Sequence, residues 1–187
     1  MNAKSIMGAI TDSDTGTDFK ELHWKGSYSD YLDIVSERPA VARTSFQRVC
    51  DMICSMGTEK YTEYKKDISH YKFFDDPYDK GKDAIFGLDV HLEKLVNVFK
   101  AAAQRYGPEK RVILLHGPVG SSKSTISRLI KKGLEAYSRT PEGALYTYSW
   151  INIGEILSME DTFPCPVHEE PLHLIPQIQR KAVLEQL

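Results

Sequence analysis

One run of the sequence, Gly117-Pro118-Val119-Gly120-Ser121-Ser122-Lys123-Ser124-Thr125, combines the residue types with the clearest chemical use. Gly117 and Gly120 allow a tight backbone turn that points N–H groups inward. Pro118, Val119, Ser121 and Ser122 complete the loop, Lys123 supplies a long cation for the outer phosphates of a triphosphate, and the Ser124 hydroxyl suits Mg²⁺ that bridges phosphate oxygens. Thr125 has two readings: a contact to the innermost phosphate, or a place in the first helical turn. The usual pattern, G-x-x-x-x-G-K-[ST], has glycine where Ser122 stands, and serine is costly there if the backbone must be left-handed. The competing reading is a plain strand-to-helix turn with Lys123 facing solvent.

The flanks decide between the two. Upstream, Arg111-Val112-Ile113-Leu114-Leu115-His116 is an aliphatic, β-branched run of the kind buried on both faces of a parallel sheet. Downstream, Ile126, Leu129, Ile130 and Leu134 recur at helical spacing. Strand, loop and helix thus come in the order that phosphate binding requires. Other helices are expected over Ser27–Val35 with Ser27 as N-cap, from Pro39 to about Met56, over Leu88–Tyr106 before the Gly107-Pro108 stop, and over Lys181–Leu187. Leu145–Ile153 reads as a second strand of the same sheet. Tyr61–Asp83 reads as loop or linker, the proline-rich stretch from Pro164 to Pro176 as irregular, and residues 1–22 as a disordered arm.

Composition excludes several classes. With 187 residues, 41% hydrophobic, 27% charged and a net charge of -2, the chain is neither fibrous nor wholly disordered. It has no run of about 18 apolar residues and no leader-like N-terminus, so a membrane partner is not expected and the chain reads as cytoplasmic. The charge balance argues against nucleic acid as a partner, and Arg128 with Lys131-Lys132 reads as a solvated helix face. Three cysteines do not suggest a disulfide framework. Cys165, His168 and His173 are spaced unlike a zinc site, and a docking loop is the preferred reading of that stretch.

Three segments together resemble the PrkA family of bacterial serine protein kinases, built on an AAA-type ATPase domain. They are the Gly117–Ser124 loop, Ile85-Phe86-Gly87-Leu88 with the helix ending Phe99-Lys100-Ala101-Ala102-Ala103-Gln104, and Cys165-Pro166-Val167-His168-Glu169-Glu170-Pro171-Leu172-His173-Leu174-Ile175-Pro176. The resemblance runs from about His23-Trp24 onward. It implies an α/β P-loop NTPase of AAA type with a parallel sheet, residues 81–187 being its N-terminal portion, preceded by a helical segment over 23–80. It implies ATP and Mg²⁺ as cofactors, a protein substrate for the parent protein, and homo-oligomeric assembly. It places Phe86 and Gly87 beside the adenine, although an aromatic at Phe86 is equally well read as core.

Residues 126–187 contain no apolar run closing in Asp-Glu, the usual second acidic motif; Met159-Glu160-Asp161 is the nearest stretch. No kinase-like region is present, and no ring-completing arginine is assigned among Arg128, Arg139 and Arg180. The chain therefore reads as an unfinished, truncated ATPase domain, and binding is better supported than turnover. Two classes of function follow: the ATP-binding portion of a PrkA-like kinase or AAA machine, and a non-catalytic nucleotide-sensing or assembly module.

Overall fold

The computed structural model describes residues 23–63, 65–151 and 162–186. The expected arm over 1–22 and the Met159-Glu160-Asp161 stretch lie outside them. The described chain divides into two compact units, Ala42–Gly143 and the residues that precede and follow it.

In the Ala42–Gly143 unit, the first helix runs Ser45–Ser55 and is here α2, after α1 of the other unit, Tyr28–Glu37. A capping box starts each. Ser27 Oγ accepts from the Asp30 N–H at 3.2 Å while the Asp30 carboxylate accepts from the Ser27 N–H at 2.7 Å. Thr44 and Gln47 reproduce the arrangement at α2, at 3.4 and 2.8 Å. Pro39 begins a short 3₁₀ turn, Pro39–Ala42, and not the helix itself.

The segment expected as a linker is a hairpin. Strands β1, Thr58–Glu63, and β2, Lys66–Tyr71, pair antiparallel from Thr58 opposite Tyr71 to Glu63 opposite Lys66. A 3₁₀ turn, Lys72–Asp75, then buries Phe73 and Phe74. Helix α3, Asp89–Ala103, buries Leu92, Val96, Phe99 and Ala102 at helical spacing, and helix α4, Lys123–Tyr137, buries Ile126, Leu129 and Gly133. Both pack into one core with Met52, Ile53, Phe73 and Phe74.

Gly133 sets how closely α4 approaches. A β-carbon there would lie 2.5 Å from Phe73 Cε2 and 2.7 Å from Met52 Sδ, both side chains fully buried. Gly133→Ala is expected to lower stability by up to about 2 kcal/mol, because overpacking (about 1–3 kcal/mol) outweighs the roughly 1 kcal/mol gain in helix propensity. Chemical denaturation measures it, and an unchanged midpoint would contradict the close approach.

The hairpin is tied to the start of α3 through His70. Its Nε2 lies 3.0 Å from an Asp75 carboxylate oxygen and its Nδ1 2.8 Å from Asp89. Tyr61 donates to the other Asp89 oxygen at 2.9 Å, and Glu59, directly across the ladder, pairs with Lys72 at 2.6 Å. Hydrogen bonding to Asp75, then to Asp89, raises the His70 pKa above its ordinary value. Only the imidazolium donates from both nitrogens. With a raised folded pKa, the contribution is fully present below about pH 6.5 and is lost as pH rises through the folded value. His70→Gln should therefore cost on the order of 0.5–1 kcal/mol at pH 5.5 and less at pH 9. A pH-independent difference in denaturation midpoint would contradict this.

In the other unit, Tyr31 of α1 is buried and donates to the Glu170 carboxylate, with the Tyr146 ring 5.6 Å away and Trp24 edge-on to Tyr146 at 5.5 Å. Strands β3, Ser149–Ile151, and β4, Thr162–Pro164, pair antiparallel, with Trp150 opposite Phe163. Helix α5, Gln177–Gln186, begins just after Pro176, earlier than its periodicity suggests. No described helix is long and apolar enough to cross a membrane.

The parallel sheet is not formed among the described residues. Both described sheets are two-stranded and antiparallel, and Arg111–His116 pairs with neither. Val112 and Leu114 are 94% and 82% exposed, whereas Ile113 packs against the core. An aliphatic run becomes a buried strand only when partners flank it, and no described strand pairs with this one.

Candidate nucleotide-binding site

Helix α4 begins at Lys123, and Ser122 stands at its N-cap without a side-chain capping bond. Helices α1 and α2 have capping boxes, whereas α3, with Leu88 at its N-cap, shares the lack of a side-chain cap. The start of α4 leaves its first N–H groups without a side-chain cap at the end that carries the positive pole of the helix dipole.

The loop coils around its lysine. Lys123 Nζ donates to the Gly117 carbonyl and to Ser121 Oγ, each at 2.8 Å, and to the Pro118 carbonyl. Ser121 Oγ in turn donates to the Pro118 carbonyl at 2.8 Å. A β-carbon on Gly117 would lie 2.8 Å from Ser121 Oγ, so a larger residue there would displace that hydroxyl from its place in the loop. Gly120 has φ +83°. Ser124 is exposed in the first turn with its hydroxyl next in chain to Lys123, Thr125 is half-buried there, and Val119 is fully exposed at the loop tip.

Ser122 has φ +56°, the left-handed conformation anticipated for the position where glycine is usual. A non-glycine residue there costs about 1–2 kcal/mol, and glycine's greater freedom in the unfolded chain returns part of that. Ser122→Gly should raise stability by about 0.5–1 kcal/mol, read as a higher denaturation midpoint; a lower midpoint would contradict the strain.

Upstream, the Ile85 N–H bonds to the Phe74 carbonyl at 2.9 Å and its side chain sits in the core with Ile126 and Leu129 of α4. Phe86 is 82% exposed, so the core reading of this ring does not hold and Ile85 is the core residue. Gly87 has φ +69° with open space about it.

Arg128 and Lys132 are not merely a solvated face. Arg128 holds the Asp83 carboxylate with a two-pronged fork, at 2.8 and 2.6 Å. Lys132 reaches Asp76 at 2.9 Å and Asp79 at 3.1 Å. Asp76 is fully buried. Burial alone would raise its carboxyl, yet Lys132 and the Asp83 N–H outweigh it and hold the pKa below its ordinary value. The sequence carried a signal for these pairs: basic residues four apart on one helix face, and four aspartates between 75 and 83.

Other candidate residues do not converge. No three His, Cys, Asp or Glu side chains among the described residues form a metal-binding group, so Cys165, His168 and His173 are not gathered into one. The Cys165 thiol is lowered below its ordinary value, chiefly by the Glu169 N–H. Arg139 pairs with Glu135 at 2.7 Å, and Arg180 donates to the Ile175 and His173 carbonyls at 2.8 and 3.0 Å.

An α/β chain with a glycine-containing loop wrapped round a lysine at an uncapped helix start falls in the class of P-loop nucleotide-binding domains. Comparison narrows this: the PrkA AAA domain pattern matches residues 26–187, and the chain belongs to that family. It is 41% identical over 158 residues to the "ATP-dependent protease PrkA" of Bacillus subtilis (strain 168), covering 84% of this chain and 21% of that protein. It is 37% identical over 94 residues to the "Uncharacterized protein in gldA 5'region" of Geobacillus stearothermophilus, covering 50% of this chain and 86% of that one. The chain thus spans about a fifth of the length of the Bacillus relative. No solved structure matches it significantly.

Proposed function

We propose that this chain binds Mg-ATP through Gly117–Thr125. The observation that carries the reading is the uncapped start of α4 with Lys123 folded back into the loop before it. Loop and first-turn N–H groups take phosphate oxygens, Lys123 exchanges carbonyl and hydroxyl oxygens for the outer phosphates, and Ser124 offers its hydroxyl to the metal. Phe86 and Gly87 lie against the purine: the ring is exposed, and Gly87 leaves room beside it. Bound Mg-ATP supplies a phosphoanhydride whose cleavage can drive work on another molecule.

A group that orients the attacking nucleophile is not assigned among the described residues, so the proposal for the chain is binding. For a longer protein carrying this domain, two activities are in view. Serine phosphorylation rests on the family resemblance. ATP-driven action on proteins by another route is favoured by the name of the Bacillus relative, an ATP-dependent protease. In either case the partner is a protein, and AAA domains commonly act as homo-oligomers.

Charge-assisted hydrogen bonds contribute about 1.5–3 kcal/mol each, so Lys123→Ala should weaken Mg-ATP binding by roughly 10- to 100-fold. Ser124→Ala should abolish the gain that magnesium gives while leaving metal-free ATP binding unchanged. Isothermal titration of the wild type and both variants measures this, and equal affinity of wild type and Lys123→Ala would remove the assignment.

A further inference from the structure

We infer that the Arg128–Asp83 fork, backed by Lys132 on Asp76 and Asp79, is a positioning clamp that couples purine recognition to the phosphate loop. The inference rests on the ATP-binding reading above and assigns a role to residues outside the loop. Asp83 stands three residues before Phe86, and Arg128 stands five residues after Lys123, about 7.5 Å along the axis of α4. The fork therefore joins the strap that ends in the purine-side segment to the helix whose first turn faces the phosphates.

The strap is built to transmit that tie. Asp76 adopts a left-handed φ of +54°, its carbonyl accepts from the Gly81 N–H at 3.0 Å, and its carboxylate accepts from the Asp83 N–H at 3.0 Å. Lys132 engages the buried Asp76 carboxylate from α4, so both ends of the strap are attached to one helix. Beyond Asp83 the chain continues through the Ala84 N–H, bonded to the Gly81 carbonyl at 3.1 Å, to Ile85 in the core. Only then do Phe86 and Gly87 emerge into solvent. On their far side, Asp89 is held by His70. The exposed pair is thus a short span between fixed points, and one of those points is tied to α4.

Arginine suits this role. Its planar fork fixes the orientation of a carboxylate as well as its distance, which a lysine at the same place does not. An exposed ion pair adds little to stability, but a bidentate one fixes geometry.

The test separates the purine side from the phosphate side by titrating the full chain with Mg-ATP and with Mg-tripolyphosphate. Asp83→Asn and Arg128→Gln should each weaken ATP by about tenfold, a coupling of ordinary size, and leave tripolyphosphate unchanged. Arg128→Lys should lie between, and the reversed pair Asp83→Arg with Arg128→Asp should recover part of the ATP preference. Circular dichroism identifies any variant that fails to fold, in which case Arg128→Lys carries the test. Equal weakening of both ligands would reduce the clamp to a structural pair, and no change in either would remove it. If the wild type binds neither ligand, or Lys123→Ala binds both as well as the wild type does, the ATP reading itself fails and the clamp with it. Wild-type ATP binding lost on Lys123→Ala but indifferent to the fork overturns the clamp alone.

Discussion

The place of α4 depends on one close approach, Gly133 against Phe73 and Met52, where there is no room for a methyl group. Packing at that density is sensitive to a single carbon, so the helix has little freedom to slide or rotate. Everything proposed for the Ala42–Gly143 unit hangs from that helix. Its first turn presents Lys123 and Ser124, its middle buries Leu129, and Arg128 and Lys132 hold the aspartate-rich strap. The same buried phenylalanine precedes Phe74, whose carbonyl anchors Ile85. Core packing, and not the loop, determines where the two sides of the proposed site stand.

What was legible in the sequence was local. Ser27 as an N-cap, the apolar spacing of α3, and the Lys123-Ser124 pair at a helix start are signals contained within a few residues, and the structure has them. Even the reservation about Ser122 was local, and it is met by a left-handed backbone. The hairpin escaped because β1 buries nothing: Thr58–Glu63 is exposed along its whole length, so it has no apolar alternation to read. Its partner shows inward residues only at Ile68 and Tyr71, after a polar start.

The Arg111–His116 run errs in the opposite direction, since its composition announces a strand that its surroundings do not complete. Strand identity is a property of a pairing and not of a segment, and pairing depends on residues distant in sequence. The basic face of α4 and the aspartate cluster were legible, but which of them pair was not, for the same reason. Asp83 and Arg128 are 45 residues apart, and nothing in either neighbourhood names the other. The exposed ring of Phe86 was decided by Ile85: one of two adjacent apolar residues entered the core, and the backbone carried the other outward.

The arrangement of Lys123 bears on how strongly such a loop can bind. Its ammonium already has three oxygen partners, from Gly117, Pro118 and Ser121. A phosphate does not meet a bare cation, so the net gain is the difference between charged and neutral acceptors and not the full strength of a new bond. Two of the present acceptors are backbone carbonyls facing inward, and a loop that binds anions must turn N–H groups that way. The proposed binding of phosphate would thus call for a local backbone change in the loop. Gly117 and Gly120 lie in the part that must turn, while Ser122 is joined to α4 through its carbonyl, which accepts from the Ile126 N–H at 2.8 Å. On the binding reading proposed above, the turn would fall to the residues before Ser122, because the helix behind them is anchored in the core.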